Sequence, residues 1–189
     1  MSLQTGYRLL HEDTIRTLSA WSTPNPDQEQ LRTAYLAHLA AHPDAMSKQG
    51  PPAHLTASCL VLDRTGSRAL LTLHKKARAW FQFGGHFEPG DTDAHAAAQR
   101  EAREESGIPT LVASPELLQL DRHRLVGSFG PCREHLDLRF VALADDDMTH
   151  AVSDESLDVR WWPTDALPEG TRHELAPLVA LARSALDLA

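Results

Sequence analysis

The chain has 189 residues, 42% of them hydrophobic, and a formal net charge of −8, which suits one well-buried core with a small appendage. With no basic stretch to neutralise a phosphate backbone, the charge argues against nucleic-acid binding, although a local cation can invert the field for a small phosphate ligand. Cys59 and Cys132 make no disulfide framework and no CxxC pair, as expected in a reducing cytoplasm. The first residues lack a signal-peptide core, and no segment nears the roughly 18 apolar residues of a membrane span, so no membrane partner is expected.

In chain order, Leu9, Leu10, Ile15, Leu18 and Trp21 recur at helical spacing. After the STPNPD break, Leu31, Tyr35, Leu36 and Leu39 mark a second amphipathic helix that Asp27 is placed to cap. PDAMSKQGPP then acts as a linker. Residues 1–50 therefore read as an N-terminal helical hairpin that could dimerise, cover a cleft or pad a core, attached to a main domain over 51–189. HLTASCLVLD and SRALLTLHKK are β-like runs joined by the DRTGS turn, and AWFQF is a short aromatic strand entering a glycine-rich loop. An alanine-rich helix follows, ended by Gly107 as C-cap and by Pro109. LLQLDRHRLVGS and HLDLRFVAL are strands around the loop FGPCRE; LDVRWWP is another, and TRHELAPLVALARSALDLA closes the chain as an amphipathic helix. Strands set between helices, without an internal repeat, predict an α/β fold with a mixed sheet packed between helices.

The stretch GGHFEPGDTDAHAAAQREAREESGI concentrates charge. Glu101, Glu104 and Glu105 stand at i, i+3 and i+4 and share one helix face, where like charges cost a few tenths of a kcal/mol per pair. Arg100, four residues before Glu104, reaches the edge of that face. A solvated helix with internal ion pairs is the plain reading, but three acids beside one arginine are poorly balanced for it. The preceding glycines also bring backbone groups close to the same place. Several carboxylate oxygens, with room left for water and phosphate, are what a hard divalent cation requires.

This stretch resembles the Nudix box, the signature of hydrolases that cleave nucleoside diphosphates linked to another moiety. Gly85, Arg100, Glu101, Ala102, Glu104, Glu105, Gly107 and Ile108 fill its pattern. Asp91 stands in place of the first glutamate, and eight residues rather than seven separate it from Arg100. The extra residue falls where the loop enters the helix, so the REAREE spacing is unchanged. The resemblance implies a Nudix-like α/β/α sandwich with the helical hairpin added. It also implies Mg²⁺ or Mn²⁺ held by Glu101, Glu104 and Glu105 with a main-chain carbonyl near Gly84 or Gly85, and Arg100 holding a box glutamate in position. The three glutamates are then catalytic, and the general base is a box glutamate or a distant acid, for which Glu155 in SDES is the candidate.

The implied substrate is a small nucleoside diphosphate derivative: a nucleoside triphosphate, a dinucleotide or a nucleotide sugar. Gly84, Gly85, His86 and Glu88 are candidates to touch it, as is His135. His135, Asp137 and Arg139 alternate with apolar residues and share one strand face, read first as a solvent face and second as a substrate cleft. Trp80, Phe81 and Phe83 are core residues or base-stacking groups. No tyrosine follows residue 35, unlike the diadenosine polyphosphate pattern, and the marks of NADH and coenzyme A pyrophosphatases are absent or incomplete. Two alternatives stand beside hydrolysis: a Nudix-like protein that binds a nucleotide without cleaving it, and a diphosphate isomerase of the same fold using Cys59.

Overall fold

A computed structural model describes residues 3–125, 131–145, 148–154, 156–171 and 173–188. Helices α1 (Leu3–Ala20) and α2 (Pro26–Ala41) lead into β1 (Ala53–Asp63), β2 (Arg68–His74), β3 (Trp80–Phe81) and β4 (Phe83–His86). Helix α3 (Ala94–Ser106), strands β5 (Gln119–Arg124), β6 (Glu134–Ala144) and β7 (Ser156–Pro163), and helix α4 (Leu175–Ala185) complete the chain. The seven strands form one mixed sheet along the path β3-β2-β1-β6-β5, with β4 also pairing with β1 and β7 with β2. Among the pairs of these seven strands, within the described residues, only β1–β6, in register from Ala53 opposite Glu134 to Asp63 opposite Ala144, is parallel.

Alternation along β1 builds two cores. Leu55, Ala57, Cys59 and Val61 point to a layer made by α1, α2 and the alanine face of α3. Leu60 and Leu62 point to the other side, where Leu175, Leu178, Val179 and Ala182 of α4 cover them. An α/β/α sandwich results. Alanines 94, 97, 98 and 102 are buried, so α3 lies close to the sheet and its glutamates ride at the edge of the contact. Gly107 ends α3 in the left-handed region (φ 70) and its N–H returns to the Arg103 carbonyl.

The N-terminal helices are tied to the sheet by polar as well as apolar contacts. Leu10, Leu18, Tyr35 and Leu39 are fully buried in the first core. Gln28 donates to the Leu120 carbonyl (2.9 Å) and accepts from the Leu120 N–H (2.7 Å), replacing the strand neighbour that β5 lacks on its outer edge. The Tyr35 hydroxyl donates to the Asp121 carbonyl at 2.6 Å. The hairpin therefore pads the core, and its helix α1 also reaches the cleft described below.

Some expectations change. Asn25, not Asp27, caps α2, accepting from the Gln28 N–H at 3.0 Å with Pro26 as the first helical residue. Asp93 caps α3, its side chain accepting from the Ala96 N–H. The glycine-rich stretch is not wholly loop: Phe83–His86 pairs with Thr56–Cys59 as β4. Arg139 and Asp137, on the face read first as solvent-facing, are 2% and 3% exposed.

Candidate active site

The box turns around one arginine. Arg100 on α3 donates through Nε and Nη2 to the two carboxylate oxygens of Asp91 (2.9 and 3.0 Å). Its Nη2 also reaches the His86 carbonyl (3.1 Å), and Nη1 reaches Glu101 (2.9 Å) and Glu104 (3.2 Å). Burial opposes its charge, but the Asp91 and Glu101 carboxylates outweigh that, and the guanidinium pKa is raised. Asp91 thus has a definite place. It grips Arg100 in a bidentate pair, and its turn is closed by the Glu88 N–H donating to its carboxylate at 2.7 Å. The shorter arm and the additional residue before α3 still allow this two-pronged contact.

Glu105 is buried, and its carboxylate accepts the Gly84 N–H at 2.9 Å, which locks β4 to α3. Glu101 lies over Gly85, where a Cβ would stand 2.8 Å from its Oε1 and push the carboxylate aside. Glu104 differs: its side chain is 62% exposed. Two carboxylates are therefore fixed against the β4 backbone and the third faces solvent from the same helix turn. An oxygen-only donor set beside a bare glycine backbone fits a hard divalent cation.

The three glutamates open on a cleft of about 1140 Å³ whose other walls include Tyr7 and Arg8 of α1 and Lys48 before β1. A second cleft of about 440 Å³ adjoins it through Gly84, Gly85 and Glu105. Thr56, Ser58 and Asp137 line it, with Phe81 at its side. Of the three aromatic residues before the box, Phe81 borders this space, whereas Phe83 is in the core and Trp80 packs under α4.

Asp137 accepts from Thr56 Oγ1 (2.9 Å), Ser58 Oγ (2.6 Å) and Arg139 Nε (3.2 Å), and Arg139 also pairs with Asp121 at 2.9 Å. Asp137 and Arg139 on the polar face of β6 thus form a satisfied buried network that borders the second cleft. His135 continues that face beside the imidazoles of His54, His86 and His123. His86 and Glu88 line the larger cleft, and Glu88 is exposed. Glu155 lies outside the described residues.

The half-buried imidazoles of His86 and His135 carry a pH signature. Burial, then neighbouring histidines, depress His135 to about 3, and burial, His54 and Lys48 depress His86 to about 4. An unfolded histidine titrates near about 6.5. Below that the unfolded chain binds more protons, so stability should fall as pH drops from about 6.5 toward 4 in chelator-containing buffer. Urea midpoints across that range measure it; His135→Asn should flatten the slope.

The NUDIX domain model matches residues 52–182, most of the chain. The chain belongs to the Nudix hydrolase family. Among solved structures, a NUDIX-family hydrolase from Clostridium perfringens is 25% identical with a TM-score of 0.51, covering 71% of this chain and 97% of its own. An Ap4A hydrolase from C. elegans (18% identity, TM-score 0.57, 70% and 97% covered) shares the fold. So does the E. coli dihydroneopterin triphosphate pyrophosphohydrolase (17%, 0.55, 71% and 96%). No curated protein matches the chain. The Nudix match leaves out α1 and α2, although both are built into the core and α1 helps to wall the cleft.

Nothing in the spacing of the Nudix box points to Thr56, Ser58 or His54. They meet the site only because β1 lies between β4 and β6.

Proposed function

We propose that this Nudix protein hydrolyses the pyrophosphate bond of a nucleoside diphosphate linked to a further moiety, in a reaction dependent on Mg²⁺ or Mn²⁺. The observation that carries this reading is the face of Glu101, Glu104 and Glu105, set against Gly84 and Gly85 and organised by the Asp91–Arg100 pair. Glu101, Glu104 and Glu105, with the Gly85 carbonyl, would hold the cation, which when bound offsets phosphoryl charge and makes a water more acidic.

The chain's own groups supply the positioning. Arg100 fixes Glu101 and Glu104 with one nitrogen and is itself fixed by Asp91, so the carboxylates are oriented before substrate arrives. Glu104, paired with Arg100 through one oxygen and 62% exposed, is the box acid most open to water in the cleft and so placed to take its proton. Arg8 and Lys48 on the facing wall give positive charge for phosphates beyond the reacting one. The adjoining cleft, with hydroxyls of Thr56 and Ser58 and the ring of Phe81, receives the non-reacting moiety.

The isomerase alternative has no support. Cys59 is buried in the first core and its thiol is pushed up to about 12 by burial, so it offers no reactive group to a cleft. Retention of all three glutamates favours hydrolysis over binding alone.

A panel of nucleoside triphosphates, dinucleoside polyphosphates, ADP-ribose-like compounds and nucleotide sugars with Mg²⁺ or Mn²⁺ tests the proposal. At least one should yield two phosphorylated products on chromatography. Binding with no turnover across the panel would favour the non-catalytic reading. With the substrate so found, Asp91→Asn should lower kcat about 10–100-fold, as loss of a ligand-orienting partner does. An unchanged kcat would show that Arg100 holds its place without Asp91.

A further inference from the structure

His54 of β1, His86 of β4, His135 of β6 and Cys132, just before β6, each bring one nitrogen or sulfur atom within 4.8 Å of the others. Strand register makes this meeting. His54 pairs directly with His135, and His86 lies opposite Thr56, the next residue on the same face of β1 as His54. His54 and His86 face each other Nε2 to Nε2 at 3.1 Å, and their ring centroids lie 5.3 and 5.2 Å from that of His135.

Three features distinguish this group from an ordinary polar patch. His135 Nε2 is buried with no hydrogen-bond partner among the described residues, a situation that normally costs about 1–3 kcal/mol. His54 Nδ1 lies 3.0 Å from the Pro51 carbonyl; an N–H there makes the contact favourable and leaves Nε2 as a lone pair directed into the cluster. Burial also keeps His86 and His135 in the neutral form that coordination requires.

We propose that His54, His86, His135 and Cys132 form a tetrahedral site for Zn²⁺ or a similar borderline transition cation, separate from the carboxylate face of α3. Two nitrogens bound to Zn²⁺ at about 2.0–2.1 Å lie roughly 3.3 Å apart, close to the 3.1 Å between His54 and His86. A pair at the 4.8 Å limit must close by about 1.5 Å to share the ion, a movement within reach of side-chain rotation. The Cys132 thiol gives up its proton on binding. Nitrogen and thiolate donors select zinc-like ions, whereas the oxygen donors of the box select Mg²⁺, so the two sites do not compete. His86 connects them: its imidazole belongs to the cluster while its carbonyl accepts from Arg100. An ion here clamps β1, β4 and β6 and steadies the strand that carries Gly84 and Gly85. This inference does not depend on the hydrolytic reading.

The test uses Co²⁺ as a spectroscopic probe and Zn²⁺ stoichiometry on the full chain. Chelator-treated wild type should take up one equivalent of Co²⁺ with the strong visible bands of tetrahedral cobalt and a thiolate charge-transfer band. Cys132→Ser should lose the charge-transfer band, and His135→Gln should weaken Zn²⁺ binding at least tenfold. Thermal melts in chelator, matching wild type, show that both variants fold. The triple variant Glu101→Gln, Glu104→Gln, Glu105→Gln should keep the site intact. A weak octahedral spectrum, or binding indifferent to Cys132 and His135, would overturn the proposal. So would loss of the tetrahedral spectrum in the glutamate variant.

Discussion

Glu105→Gln should reduce kcat by about a thousandfold while leaving the fold standing. Gln keeps an oxygen to accept the Gly84 N–H that Glu105 now accepts at 2.9 Å, so the link from α3 to β4 survives. What it removes is a buried negative charge from the carboxylate face proposed to hold the cation. Loss of about 4 kcal/mol of transition-state stabilisation, the scale of a cation's effect on phosphoryl charge, corresponds to that thousandfold. Rates at saturating substrate and a melting curve for each protein separate the two effects. A Glu105→Gln enzyme with near-normal kcat would place the cation elsewhere. A variant that fails to fold would show that the charge itself, not the hydrogen bond, holds β4.

Arg139→Leu should cost about 3–5 kcal/mol of stability, because it leaves the buried Asp137 carboxylate without its cation. Arg139 is almost fully buried and bridges Asp137, Asp121 and Gln119. Asp137 would keep only the hydroxyls of Thr56 and Ser58. Asp121 is better protected, since it is partly exposed and contacts His123 at 2.7 Å. The double variant Arg139→Leu, Asp137→Leu should therefore recover much of the loss, as paired apolar replacements of buried ions do. Urea unfolding measures both. A cost under about 1 kcal/mol for Arg139→Leu would mean that the network is solvated.

The shared face of the three glutamates was legible in the sequence because it is local. Glu101, Glu104 and Glu105 are joined by helical periodicity, and alanines 94, 97, 98 and 102 announce the buried side of the same helix. Gly107 at the C-cap follows from the same local rules. Asp91 was harder to place, since its partner Arg100 is met only after the chain turns and enters α3. The face shared by His135, Asp137 and Arg139 shows the limit of alternation: period two says which residues share a face, not what covers it. Here Thr56, Ser58 and Asp121 come from neighbouring strands and close it.

Long-range pairing hides most from the sequence. His54 and His86 are 32 positions apart and touch only through the pairing of β4 with β1. β4 itself contains two glycines, residues depleted in strands, and owes its conformation to pairing with β1 and to the Glu105 contact. Two acceptors, Asn25 and Asp27, lie two positions apart at the start of α2, and Pro26 at the first helical position decides for the earlier one.

The central claim is that the glutamate face of α3 powers pyrophosphate hydrolysis through a hard divalent cation. The most direct test is the rate of cleavage of the best panel substrate by wild type and Glu101→Gln, titrated with Mg²⁺ from a chelator-treated start. Wild type should be inactive in chelator and regain full rate with Mg²⁺, while Glu101→Gln stays far below it at every concentration. Chelator-resistant turnover, or a Glu101→Gln curve that overlays wild type, would contradict the account.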